Sequence, residues 1–242
     1  MIQIYKKEIN SFLDSLIAYI IISVFLTGVG LMMWVFPETS VLEYGYADMG
    51  TLFSFAPYVF IFLIPAITMK VFAEEKKSGT FEFLFSKPLE DWKIIMGKYL
   101  ASLTLVVFAL LPTLLYFFSI YTLGNPVGNI DVAGTTGSFV ALFLLGAVFC
   151  SIGVMASSIT ENQVTAFIVA VFLSFITFSG FSSIASIDVW GTFSNDLDQI
   201  GILYHYNSMS RGVIDSRNLM YFFSVISIML LLTNLILGSR KW

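Results

Sequence analysis

The stretch EEKKSGTFEFLFSKPLEDWKIIMGKY, Glu74 to Tyr99, holds ten of the 28 Asp, Glu, Lys and Arg residues of this 242-residue chain. The sequence on either side of it turns almost wholly apolar. An apolar run that stops at a dense charged segment and then resumes reads as a chain leaving a bilayer, turning in water and re-entering. Composition points the same way. Charged residues make up 12% of the chain, about half the usual share of a soluble domain, so a polar surface cannot be drawn over it and lipid is the expected solvent. This excludes a soluble enzyme or a soluble binding module.

A membrane-spanning helix needs about 20 mainly apolar residues. Six segments qualify, at 15–36, 49–71, 99–123, 137–158, 164–183 and 219–238, and they form one expected membrane domain over 1–242. The only charge within them is Lys70, at the end of the second. The first follows Asp14, is too long for a signal-peptide core and lacks a small-residue cleavage site, so it reads as a retained span. The fold class expected is all-α and polytopic. Cytoplasmic loops carry an excess of Lys and Arg. With both termini inside, ten of the twelve basic residues are cytoplasmic and only Arg211 and Arg217 lie outside, which predicts N-in, C-in and makes 74–98 a cytoplasmic loop.

Outside, Pro37–Asp48 is short and acidic, and 122–136 is built from turn residues. The segment 184–218 is the longest connection. Its Leu197, Ile200, Leu203 and Tyr204 recur at helical spacing, which fits an amphipathic helix at the interface, and a packed plug of loop fits as well. Pro57, Pro65 and Pro112 fall inside spans two and three, where each removes a helical hydrogen bond. In span four, Gly146, Cys150, Gly153 and Ser157 recur at intervals of four, three and four and lay one smooth stripe, a surface that lets helix backbones approach closely. Its partner is either within the chain or on another subunit. Cys150 reads as a small packing residue.

Phosphate-loop chemistry is missing, since the only Gly-Lys pair, Gly97–Lys98, has Trp92 where G-x-x-x-x-G-K requires glycine. His205 is the only histidine and reads as a solvated loop residue, and no Cys, His or carboxylate group has metal-ligand spacing. No cofactor and no nucleic-acid partner are expected. The absence of charge at the middle of the spans disfavours an ion-coupled transporter or a channel with a charged ring.

Within the loop, Glu74 to Lys77 lead into water and Ser78-Gly79-Thr80 forms a turn with helix-start character. Phe81, Leu84 and Phe85 then lie at i, i+3 and i+4 on a short amphipathic helix with Glu82 beside them. Lys87–Pro88 ends it and Pro88 opens the next helix, with Glu90 and Asp91 in the first turn, where the dipole favours acids. Such a helix either docks in a groove of a partner or serves as an interfacial linker. Glu161 and Gln163, in the turn between spans four and five, face the same side.

The run FAEEKKSGTFEFLFSKPLEDWKIIMGKYLAS resembles the signature of ABC-2-type permeases at Glu74, Glu75, Lys76, Gly79, Thr80, Glu82, Pro88, Gly97 and Lys98, with Phe81 and Phe83 in place of leucines. The N-terminal YKKEINSFLDSLIAYI is similar to that family's cytoplasmic connecting helix. The stretches LGNPVGNIDVAGTTGSF, SSITENQVTAFIVAVFL and SRGVIDSRNLMYF look like the corresponding parts of gliding-motility-associated ABC permeases. The resemblance implies six spans per subunit, a helical segment between spans five and six, a bacterial inner-membrane location, a separate ABC ATPase subunit that meets the loop after span two, and a second, larger membrane-anchored component. It makes Glu74, Glu75, Gly79, Thr80, Phe81, Glu82, Leu84, Phe85 and Pro88 the coupling residues. A membrane anchor that assembles a complex without moving substrate also fits the sequence.

Overall fold

The computed structural model describes residues 1–81, 90–187, 193–212 and 214–239. Among them the chain is helical and contains no strand. The helices are α1 Ile2–Leu13, α2 Leu16–Trp34, α3 Val41–Tyr44, α4 Gly50–Thr68, α5 Lys70–Lys77, α6 Asp91–Leu110, α7 Thr113–Leu123, α8 Val132–Ile159, α9 Gln163–Phe175, α10 Phe181–Ala185, α11 Ser194–Ile200, α12 Ile202–Met209 and α13 Ser216–Gly238, with a π-helical turn, Ile176–Gly180, between α9 and α10.

Five stretches are long and apolar enough to cross a bilayer: Gly50–Lys77, Asp91–Leu123, Val132–Ile159, Gln163–Ala185 and Ser216–Gly238. The pair α1 and α2, bent by 68°, counts as a sixth crossing when taken together. The apolar content decides that these helices form, and capping decides where several begin. Asp131 accepts from the Gly134 amide at the start of α8, Asn162 from Val164 at α9, and Asp215 from Arg217 at α13.

The helix α8 is the centre of the bundle. It packs against α4, α5, α6, α9, α12 and α13, and 83% of its most apolar window is buried, against 22% for the spans containing α9 and α13. Small residues suit a helix surrounded on all sides, and long apolar ones suit helices that face lipid.

The prolines act differently in the two spans, and the readings of 184–218 and of His205 are corrected by the structure. Pro57 and Pro65 leave α4 continuous, and the break in this arm comes at Met69. Span three breaks at Leu111–Pro112, where the Thr113 hydroxyl caps the Leu110 carbonyl at 2.6 Å. The segment after span five is helical, but Gly201 splits it into α11 and α12. The residues that α12 buries are Ile202, Tyr206 and Met209, while Ile200 and Tyr204 are exposed, so Leu197, Ile200, Leu203 and Tyr204 do not share one helix. Tyr206 donates to the Phe53 carbonyl at 2.7 Å and anchors α12 to α4. His205 is packed rather than solvated. Its ring stacks on Tyr221 at 3.8 Å, and its nitrogens lie 2.8 Å from Asn218 Oδ1 and 2.9 Å from the Gln199 carbonyl. Tyr221 and Asn218 of α13 and the Gln199 carbonyl at the end of α11 supply that pocket.

Candidate functional site

The charged segment that ends span two enters the loop as helix. Glu and Lys are good helix formers, and α5 carries the arm through Lys77. It stops where Gly79 takes φ +70°, a left-handed conformation that suits glycine. The Ser78 amide donates back to the Glu74 carbonyl at 2.9 Å and the Gly79 amide to Lys76 at 3.2 Å. Ser78-Gly79-Thr80 therefore terminates one helix before the next segment begins. Glu74, Lys77, Ser78, Gly79 and Thr80 are exposed at this end.

Two clamps hold this arm. The first is the smooth stripe of α8, whose partners lie inside the chain. A Cβ built on Gly146 would lie 2.7 Å from Val106 Cγ1. One built on Gly153 would overlap Thr68 Oγ1 and sit 2.8 Å from Thr68 Cβ. Cys150 and Ser157 are fully buried. Ser157 works at the joint between α4 and α5. Its Oγ accepts from the amides of Phe72 at 2.9 Å and Ala73 at 3.0 Å, and donates to the Met69 carbonyl at 2.9 Å. One turn on, Lys76 donates to the Ser158 carbonyl at 2.6 Å, a cation at the C-terminal end of α8 where the helix dipole favours it. Ser157→Ala leaves the buried Phe72 amide, in the first turn of α5, without its acceptor at about 1–3 kcal/mol and removes the second acceptor of the Ala73 amide. Hydrogen exchange at Phe72 and Ala73 should accelerate, and unchanged exchange there would show that the joint does not depend on this hydroxyl.

The second clamp is a buried ion cluster. Lys98 enters span three with its side chain 1% exposed. Its ammonium lies 2.9 Å from Glu8 Oε1 on α1, 3.0 Å from Glu75 Oε2 on α5 and 2.6 Å from the Val71 carbonyl. Lys7 closes the cluster at 2.8 Å from Glu75 Oε1. Desolvation pulls the Lys7 pKa down, but the hydrogen bond and charge of Glu75, with help from Glu8, outweigh it and hold it above the ordinary lysine value. Beside this cluster, a Cβ on Gly97 would come within 3.2 Å of Ile4 Cβ, Ile4 Cγ2 and the Met1 carbonyl, so glycine lets α1 cross α6 at close range. Tyr5 and Thr104 hydroxyls meet at 2.9 Å on the same crossing.

The structure separates the sequence-predicted residues. Gly79, Thr80 and Glu74 lie on the exposed end, Glu75 turns into the ion cluster, and Phe81 is buried with its ring edge-on to Phe72 at 6.4 Å. Glu82, Leu84, Phe85 and Pro88 lie outside the described residues. The helix after them starts at Asp91 with Glu90 as its cap residue, and Glu90 pairs with Lys93 at 2.9 Å. Glu8 and Lys98 escaped the reading as a site. Their signal was a charge at a core position: Ile4, Glu8 and Phe12 share the buried face of α1, and Lys98 continues the buried face of Ile94 and Ile95.

A family model described as ABC-2 family transporter protein matches residues 2–240. The chain belongs to that family. As an ABC-2 transporter protein it is a multi-pass membrane permease subunit, in a family whose members work with an ABC ATPase. The Gly97–Lys98 pair of its charged loop then has a physical account, since one residue admits α1 and the other ties it down. Comparison with curated proteins finds no match.

Proposed function

We propose that this chain is the non-catalytic membrane half of an ABC exporter. It crosses the inner membrane six times with both termini in the cytoplasm, and a separate subunit binds and hydrolyses ATP. The observation that carries the reading is the rigid mounting of the charged loop. Its entry, α5, is tied to α8 through Ser157 and Lys76, and its exit, α6, to α1 and α5 through Lys98. A force applied between those ends would reach four helices directly. The apolar turn Phe81, Leu84 and Phe85, with Glu82 beside it, is the proposed contact with the ATPase. The likeness of three stretches to gliding-motility permeases supports export linked to gliding, together with a second membrane-anchored subunit. Deletion of the gene should stop gliding, and normal gliding in the deletion strain would remove that part of the reading.

The docking test is titration of the partner ATPase against variants in nanodiscs. A central aromatic anchor of an interface is worth about 2–4 kcal/mol, and each 1.4 kcal/mol is about tenfold in affinity. Phe85→Ala should therefore weaken association about thirtyfold or more. Lys77→Ala, at an exposed position, is the control, because an exposed ion pair contributes at most about 1 kcal/mol. Equal affinity for both variants would make the segment a plain linker.

Topology is tested with single cysteines at Ser78 and Asn195, both exposed. They should label from opposite sides of the membrane, and labelling from one side would contradict six crossings. The native Cys150 is fully buried and is replaced by alanine in both cysteine variants.

A further inference from the structure

We propose that Lys98 is the positioning residue that fixes α1 against α5 and α6, so that α1 and the charged loop move as one body when the ATPase engages. The last clause rests on the function proposed above; the first does not. A lysine ammonium has three N–H donors and no acceptor. Here it donates to the Val71 carbonyl of α5 at 2.6 Å and to Glu8 Oε1 of α1 at 2.9 Å, and Glu75 Oε2 of α5 lies 3.0 Å away as an ion pair, while its own stem belongs to α6. One buried group thus meets three helices. The charges also close: Lys98 and Lys7 balance Glu8 and Glu75. Glu8 is the only member of the cluster on α1 that reaches Lys98, so the attachment of α1 to this point runs through one carboxylate. The close crossing at Gly97 sets the distance, and the ion cluster sets the register. Charged pairs at such positions are worth little as bulk stability against an apolar core and serve best to specify one arrangement.

The test exploits the crossing itself. Ile4 Cβ and a Cβ built on Gly97 are 3.2 Å apart, closer than the Cβ separation of about 3.8 Å typical of disulfides, so the crossing opens by roughly half an ångström to accept the bond. The pair Ile4→Cys and Gly97→Cys, in a Cys150→Ala background, can replace the ionic attachment with a covalent one. In Lys98→Met, hydrogen exchange over 2–13 should accelerate by about a hundredfold or more, as expected when one partner of a buried ion pair is removed, while 132–159 stays protected. Oxidising the cysteine pair in Lys98→Met should restore protection of α1, and should restore ATPase stimulation in the complete complex. Reduction should abolish both. Should Lys98→Met fail to insert, Glu8→Gln carries the same test, since it removes the charge by which α1 reaches Lys98 and leaves the Lys98 contacts to α5 and the Lys7–Glu75 and Tyr5–Thr104 contacts in place.

Unchanged exchange of α1 in both variants overturns the proposal. So does a stapled Lys98→Met chain with α1 restored but ATPase stimulation lost, when the stapled chain retaining Lys98 stimulates normally. If no chain stimulates an ATPase, the transport reading fails, and the exchange measurement still decides whether Lys98 positions α1.

Discussion

Gly153→Ala should destabilise this protein by about 3 kcal/mol or more, the upper range for forcing extra volume into a packed core. The added methyl would overlap Thr68 Oγ1. Thr68 cannot step aside, because it is fully buried and its hydroxyl is held by the Ile64 carbonyl at 2.9 Å. Relief would require α4 and α8 to separate, and that would pull Ser157 away from Phe72, Ala73 and Met69. The contrasting substitution is Gly28→Ala in α2, where nothing lies within 4 Å of the added Cβ. Alanine is favoured over glycine inside a helix by about 0.8–1 kcal/mol, so this change should be neutral or stabilising. Thermal unfolding of the two variants in the same detergent checks both. Equal midpoints would mean that α4 and α8 are not in close contact at Gly153.

Lys98→Met should cost about 3–5 kcal/mol, the loss expected when a buried charge keeps its partners but loses its counter-ion. Glu8 and Glu75, with side chains 10% and 12% exposed, would face each other with only Lys7 to balance them. Neutralising the three buried members with Glu8→Gln, Glu75→Gln and Lys98→Met should recover most of that stability, because the one charge left, Lys7, has a side chain 61% exposed and is held by solvent. The measurement is the fraction of protein that stays monodisperse after heating. A triple variant no better than Lys98→Met alone would place the effect in the shape of the lysine side chain and not in its charge.

Much of the bundle was legible because a bilayer imposes length and apolarity on each crossing, and a charged segment marks where the chain turns. The stripe of Gly146, Cys150, Gly153 and Ser157 was visible in its spacing. Its partner Thr68 was not, since periodicity describes one helix and says nothing about which other helix it meets. The ion cluster was hidden for the same reason: Glu8 and Lys98 are 90 residues apart and each looked like a charge near a membrane end. Glu75 read as a solvated residue because its neighbours in sequence are charged, whereas its neighbours in space are Lys98 and Lys7. Between spans five and six, Leu197 and Leu203 kept helical spacing across Gly201, and the turn there broke the register. His205 gained its stacking and hydrogen bonds from α13 and the end of α11, which no local pattern encodes.

The central claim is that an ATPase sits on the end of the bundle where α5 stops. A photo-crosslinking amino acid at Thr80, exposed just beyond Gly79, tests it in native membranes, with the same probe at Asn195 as the opposite-end control. The account predicts a dominant covalent adduct from Thr80 to a subunit that carries a phosphate-binding loop, and none from Asn195. An adduct to that subunit from Asn195, or its absence from Thr80 when the intact complex has been isolated, would contradict it.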